Sequence, residues 1–140
     1  MSGYTLTDLD TVLTTRLQDG QGQFQLVPGD ERDAVASAMA MAPKLVTVSY
    51  TLILTDVAKC IVMNSATGVN LTIPPNASVA FQVGTVVSWY GMGAGLITFV
   101  PGAAVTIEKS STTLVTRAQG AMGGIWQRAA NTWVLWGDVT

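Results

Sequence analysis

The sequence predicts a mostly β fold: an antiparallel two-sheet, jelly-roll-like sandwich with a short, partly helical N-terminal segment. Three observations support this prediction. From Leu45 onward, short apolar runs of strand length alternate with turns that contain Gly, Pro or Asn. The spacers between the runs are too short to hold crossover helices, which favours antiparallel neighbours. Nine of the sixteen charged residues lie in the first 44 positions, so the chain changes character near Pro43.

Composition limits the function classes. The chain has 140 residues, enough for one domain, and is 49% apolar but 11% charged, against about a quarter charged in ordinary globular proteins. A net charge of −2 argues against nucleic-acid binding. Apolar runs are too short to span a membrane, and the N-terminus lacks the pattern of a secretory signal. We therefore expect synthesis in a cytoplasm and a surface that is largely covered by other protein.

Helix signals are confined to the N-terminal part. Thr7 and Asp8 can begin a first short helix, and Asp30 follows a second start signal at Pro28. Pro43 ends the second helical pattern. We expect residues 1–44 to form an N-terminal arm with short helices, and residues 45–140 to form the antiparallel β-domain.

One long and nine short strand-like segments follow along the β-domain. A period of two over residues 46–54 predicts one long strand with one buried face. No repeat of fixed period is visible, so neither a propeller nor a solenoid is expected. The further predicted strands are Cys60–Met63, Val69–Ile73, Val79–Val83, Thr85–Tyr90, Leu96–Val100, Ala104–Glu108, Thr113–Arg117, Gly124–Arg128 and Thr132–Trp136.

Catalytic and metal chemistry have little support in this composition. The chain has no His and a single Cys, Cys60, which we interpret as a packing residue. An acid–base pair would require two of Asp56, Glu108 and Asp138 to converge in one cleft. The run 91–95 lacks the Lys and Ser/Thr of a phosphate loop and predicts a wide hairpin turn. We expect no enzyme, no cofactor and no metal site.

Aromatic and apolar residues are the candidates for interaction. Tryptophans can stack on sugar rings, but core or subunit contact is the plainer interpretation. Trp133 and Trp136 differ by three positions, so in one strand they point to opposite faces. In the N-terminal segment, apolar residues suggest an arm that grips a partner. The candidate interaction residues are Tyr4, Leu9, Leu13, Leu17, Phe24, Trp89, Trp133 and Trp136.

Several segments of the β-domain resemble a domain found in structural proteins of tailed bacteriophages. The resemblance spans about residues 50–140 and carries no catalytic residues. Val57 and Cys60 depart from the small and polar residues usual there. The segments are Thr55-Asp56-Val57-Ala58-Lys59 leading into Ile61-Val62-Met63-Asn64-Ser65, then Leu71-Thr72-Ile73-Pro74-Pro75-Asn76, Phe81-Gln82-Val83-Gly84-Thr85, Gly93-Ala94-Gly95 with Ile97-Thr98, and Asn131-Thr132-Trp133-Val134-Leu135-Trp136-Gly137-Asp138.

The resemblance implies one of two virion roles. Similar domains occur in capsid cement or decoration proteins and at the tips of tail fibres. About 44 residues before the β-domain are too few for a fibre shaft, which favours a cement protein on the capsid surface. The implied partners are the major capsid protein and further copies of the chain, with a dimer narrowly favoured over a trimer. The alternative is a tail-fibre or spike tip that binds a receptor or glycan.

Overall fold

A computed structural model describes residues 40–140, in which nine strands form two sheets. The strands are β1 Pro43–Val46, β2 Tyr50–Thr51, β3 Cys60–Met63, β4 Val69–Ile73, β5 Val86–Gly91, β6 Ile97–Pro101, β7 Thr106–Lys109, β8 Met122–Ala129 and β9 Thr132–Gly137. The six-stranded sheet has the order β1-β3-β5-β8-β9-β7, and the three-stranded sheet has the order β2-β4-β6. A mostly β fold with two sheets is therefore confirmed.

The predicted antiparallel pairing is wrong for most of the fold. Strands β1, β3 and β5 are parallel to one another, as are β2, β4 and β6, and β7 is parallel to β9. The antiparallel pairs described are β5 with β8 and β8 with β9. The reason is that the chain crosses to the other sheet after each of its first strands. It then returns to the first sheet beside its earlier strand and runs in the same direction. The strand in the other sheet, with short loops on either side, makes the crossing that a helix makes in most parallel sheets.

Strands β1 to β6 thus form three stacked coils, each contributing one strand to each sheet. Between the second and third coils the paired residues always differ by 28 positions, from Cys60 with Ser88 to Ile73 with Pro101. The first coil is shorter, because Pro43 pairs with Cys60. The expectation against a solenoid is wrong for this part of the chain. The sequence shows no repeat of fixed period because the coils differ in length and in sequence.

Individual elements differ from the prediction in the same way, because connections between the two sheets replace most of the expected hairpins. The predicted long strand over residues 46–54 is interrupted, because β1 and β2 lie in different sheets. Residues 79–83 form no strand, and residues 113–117 make only isolated bridges. The turn at Ala130 and Asn131 is a true hairpin between β8 and β9, with Asn131 at φ 58°.

The glycine-rich run 91–95 connects β5 to β6 across the core and is not a hairpin turn. Gly93 donates its N–H to the Met63 carbonyl at 3.1 Å, and Gly95 donates to the Ser65 carbonyl at 2.9 Å. A Cβ on Gly95 would lie 1.9 Å from the Thr67 carbonyl oxygen, and one on Gly93 would lie 2.1 Å from that of Ser65. These glycines are needed because one connection stacks directly on the backbone of the connection before it.

The two sheets enclose one apolar core. Trp89 of the larger sheet packs edge-on against Phe99 of the smaller sheet at 5.1 Å, and Trp133 packs against Phe81 at 5.4 Å. Within the described part of the chain, the indole N–H groups of both tryptophans have no hydrogen-bond partner, so apolar and aromatic packing must offset their desolvation. The core contains Val46, Leu52, Ile61, Met63, Val69, Leu71, Ile73, Phe81, Val87, Trp89, Ile97, Phe99, Ala121, Ile125, Trp133, Leu135 and Val139.

The third coil is covered along both of its edges. Strand β8 pairs with β5 in the larger sheet. In the smaller sheet, Phe99 donates its N–H to the Leu114 carbonyl at 2.7 Å, and Thr116 donates to the Ile97 carbonyl at 3.0 Å. This covering prevents the last coil from pairing with another chain.

Candidate functional site

The outward face of the six-stranded sheet is the main apolar surface of the described residues. Along each strand the side chains alternate between the core and this face. Leu45 is 61% exposed and Met122 is 65% exposed, so the face reaches across the sheet with large uncovered side chains. We call this surface the apolar face, which comprises Leu45, Cys60, Val62, Val86, Tyr90, Met122, Trp126, Val134 and Trp136.

Strand register arranges these side chains in rows. One row runs Leu45, Val62, Tyr90 and Met122 across four strands. A second row places Val86 beside Trp126 and Trp126 beside Val134. Side chains in one row are about 5 Å apart, close enough to form a continuous surface.

Two exposed tryptophans occupy neighbouring strands of the apolar face. Trp126 is 40% exposed and Trp136 is 49% exposed. They are diagonal neighbours, because Gly124 pairs with Trp136 while Trp126 pairs with Val134. A Cβ on Gly124 would lie 2.4 Å from Cζ2 of Trp136, so the indole lies flat over this glycine. The absence of a side chain at Gly124 therefore keeps the face level.

The charged residues at the outward strand positions of this sheet are Arg128 and Glu108, which lie together near one edge. Arg128 Nε and Nη2 donate to the two carboxylate oxygens of Glu108, at 2.9 and 2.6 Å. The Arg128 hydrogen bond holds the pKa of Glu108 below its usual value, and the same bond raises the pKa of Arg128. The pair is internally neutralised, so it gives the apolar face no net charge.

The outward face of the three-stranded sheet has a different chemistry. Thr51, Thr72 and Val100 form one row across it, and Asn70 pairs with Thr98 in the next. Ser49 Oγ accepts the Asn70 N–H at 3.0 Å beside this second row. We call this surface the hydroxyl face, defined by Thr51, Asn70, Thr72, Thr98 and Val100.

A buried ion pair joins the first strand of each sheet. Asp56, whose side chain is fully buried, accepts hydrogen bonds from Lys44 Nζ and from the Tyr50 hydroxyl, both at 2.8 Å. It also accepts the Ile53 N–H at 2.9 Å, at the start of a single 3₁₀ turn, Leu54–Asp56. Lys44 Nζ lies 4.3 Å from the centre of the Tyr50 ring. Lys44 comes from β1 and Tyr50 from β2, so Asp56 ties the two sheets together.

The contacts of this cluster fix its charge state. Burial alone would raise the pKa of Asp56, but hydrogen bonds from Ile53, Lys44 and Tyr50 outweigh it and hold that pKa below its usual value. Burial likewise acts to lower the pKa of Lys44, while its bonds to Asp56 and Tyr50 raise it. Burial raises the pKa of Tyr50. Asp56 is therefore a charged structural group whose oxygens are already occupied.

The three carboxylates considered as acid–base candidates do not share a cleft. Each has its own basic partner. Asp56 pairs with Lys44 and Glu108 with Arg128, and Asp138 accepts a hydrogen bond from Arg117 Nε at 3.0 Å. Asp56 bonds to the edge strand β1, and Glu108 lies on the opposite edge strand β7. Five strand spacings separate these edges, about 24 Å, whereas paired carboxylates of glycosidases lie within about 10 Å. Among residues 40–140, no cluster of three or more His, Cys, Asp or Glu could hold a metal ion.

The structure separates the predicted interaction residues into three groups. Trp89 and Trp133 are 1% and 0% exposed and lie in the core, so they offer no surface to a partner. Trp136 lies on the apolar face. Trp126 was missed, although alternation with Ile125 and Gln127 indicates its outward direction. The arm candidates Tyr4, Leu9, Leu13, Leu17 and Phe24 lie outside the described residues.

Comparison with known proteins gives no assignment. No family model, curated protein or solved structure matches the chain. Within residues 40–140, no helix has the length and apolar character needed to cross a membrane. The surface chemistry of the two sheet faces must therefore carry the functional argument.

Proposed function

We propose that this chain is a structural virion protein that binds the outside of a bacteriophage capsid and cements neighbouring major capsid subunits. The apolar face is the observation that carries the proposal. Its exposed and partly exposed apolar side chains lie in rows that extend across five strands and include two exposed tryptophans. A surface of this kind marks a site of protein association.

The distribution of charge supports the same role. Residues 40–140 contain eight charged side chains, and six of them form the ion pairs Lys44–Asp56, Arg117–Asp138 and Arg128–Glu108. Burying such a surface against protein requires little desolvation of unpaired ions. The resemblance of residues 50–140 to β-domains of phage structural proteins supplies the virion as the setting. The expected partners are the major capsid protein and further copies of the chain, on the capsid surface.

The proposal needs two sheets with different outer faces. It does not need the jelly-roll-like sandwich predicted from the sequence, whose antiparallel order is limited here to β5, β8 and β9. The arrangement of the three carboxylates within residues 40–140, Asp56, Glu108 and Asp138, gives no support to an enzymatic alternative, because each is paired with its own cation.

A receptor- or glycan-binding tip is the second candidate. One observation favours it: Trp126 and Trp136 are both exposed on one face, close to the polar Arg128–Glu108 pair. Indole rings on a level surface can stack on sugar rings. This candidate places the chain at the end of a tail fibre.

Purified virions distinguish the two candidates. We expect mass spectrometry to detect the chain in virions and immunogold labelling to place it over the shell. Virions that lack it should release DNA at lower temperature, and adding the purified chain should restore their heat resistance. Labelling confined to the tail would support the tip instead. Absence of the chain from virions would overturn both candidates.

A further inference from the structure

We infer that the apolar face is an isologous dimer interface, covered by the same face of a second copy related by a twofold axis. This deepens the proposed function and rests on its premise that protein covers this face. The area of the face, its lack of unpaired charge and its flatness all suit a second copy.

The area of the apolar face reaches the lower limit for a specific dimer. The five strands of the apolar face, each about 4.8 Å wide, carry three outward rows about 7 Å apart, which gives a face of roughly 24 by 20 Å. Each copy would contribute roughly 500 Å², so the pair would bury about 1,000 Å², the lower limit for a specific interface with good complementarity. In a twofold arrangement the whole face is buried at once, whereas a threefold arrangement would divide it between two neighbours.

Charge favours a second copy over a charged partner. The charged groups of the outward strand positions are Arg128 and Glu108, which already bond to each other. A partner selected by charge would need an unpaired group on this face to recognise. A second copy brings an equally neutral, equally apolar surface, so neither side loses solvation of an unpaired ion.

The shape of the face also fits sheet-on-sheet packing. Gly124 lets the Trp136 indole lie against the sheet instead of projecting from it. Beside it, Cys60 and Ser88 add small side chains to the same row. Two such faces can pack about 10 Å apart, as the sheets of a sandwich do.

A pair of lysine variants tests the inference on the full chain. Trp126→Lys places a charge in the apolar face, and Asn70→Lys places the same charge on the hydroxyl face as a matched control. In sedimentation velocity at micromolar concentration, we expect wild type and Asn70→Lys to be dimers. Trp126→Lys should dissociate at least tenfold more readily, because the twofold axis brings two like charges into one apolar interface. Far-UV circular dichroism checks that each variant is folded.

Two further measurements keep the test decisive if Trp126→Lys fails to fold. Met122→Lys adds the charge at another, more exposed position of the same face and should also dissociate the dimer. The half-buried Cys60 thiol lies on the face, so its modification by a small thiol reagent should slow as wild-type concentration rises.

A monomeric wild type, a trimer, or a dimer unaffected by both apolar-face lysines would overturn the inference. A monomer would assign the face to a foreign protein. Because these experiments use the purified chain alone, their failure leaves the virion role to its own test. Conversely, if the chain dimerises in solution but is absent from virions, the dimer interface is supported and the cement role is rejected.

Discussion

The two sheets of this domain share one core but present opposite outer surfaces. The larger sheet shows Trp126, Trp136 and Met122, whereas the smaller sheet shows Thr72, Asn70 and Thr98. Both inner faces are apolar, so the core does not account for the difference. A low content of charge therefore has two separate meanings in this domain. On one face it marks a surface suited to burial, and on the other a neutral hydroxyl surface that water can solvate.

The stacked connections between the sheets keep both faces in register. Disrupting them is therefore expected to have the largest effect on the free energy of unfolding. Gly95→Ala would force a Cβ to within 1.9 Å of the Thr67 carbonyl oxygen. We expect a loss of roughly 3–5 kcal/mol in the free energy of unfolding, measured by urea denaturation.

Gly68→Ala is the matched control, because a Cβ there would meet its nearest atom, the Leu96 carbonyl oxygen, at 3.7 Å. Its loss should be about 1 kcal/mol or less. Equal losses for Gly95→Ala and Gly68→Ala would contradict the stacked arrangement.

The buried Asp56 cluster joins the two sheets, and its removal gives the next largest effect. We expect Asp56→Asn to lose roughly 2–4 kcal/mol at pH 7, since the amide keeps only one acceptor oxygen for Lys44 and Tyr50 and leaves the Lys44 charge unpaired. The folded pKa of Asp56 lies below the ordinary 3.8. Its contribution is therefore fully present above about pH 4 and is lost as the pH falls through the lower folded pKa.

The stability difference between wild type and Asp56→Asn should accordingly shrink below pH 4. Chemical denaturation from pH 7 to pH 2 measures it. Glu108→Gln, which removes an exposed carboxylate instead, should change stability little across this range. A difference for Asp56→Asn that stays constant down to pH 2 would show that its charge contributes nothing to stability.

The smallest expected effect concerns the level surface of the apolar face. Gly124→Ala would place a Cβ 2.4 Å from Cζ2 of Trp136, and we expect the indole to swing outward at a cost of about 1 kcal/mol. Increased quenching of tryptophan fluorescence by iodide measures this movement. Dimerisation should weaken as well, because the two faces would no longer pack closely. Unchanged quenching would mean that Trp136 does not lie on the sheet.

Much of the strand content was predictable, but the direction of the strands was not. The predicted segments Cys60–Met63 and Val69–Ile73 match β3 and β4, because alternation and turn residues act over a few neighbouring positions. The predicted hairpin at residues 91–95 was wrong, because Gly and small residues suit both a hairpin and a crossing between sheets. The glycines at 93 and 95 are required by the Ser65 and Thr67 carbonyls, nearly 30 positions earlier in the chain.

The candidate surface was only partly predictable for a similar reason. Alternation places Trp133 and Trp136 on opposite sides of β9, as expected. Nothing local indicates which side meets the core, so Trp89 and Trp133 could not be separated from Trp126 and Trp136 by composition. The pairing of Glu108 with Arg128 likewise depends on β7 and β8 both lying beside β9.

A mostly β chain with few charges, the location of most strands and the number of tryptophans can all be read from the amino-acid order. These follow from residue spacing and composition, which operate over short distances. Tertiary structure alone decided the parallel coils, the burial of Asp56 between Lys44 and Tyr50, and the division into an apolar face and a hydroxyl face. Each of these depends on which distant strands become neighbours, and that choice is made by packing a shared core.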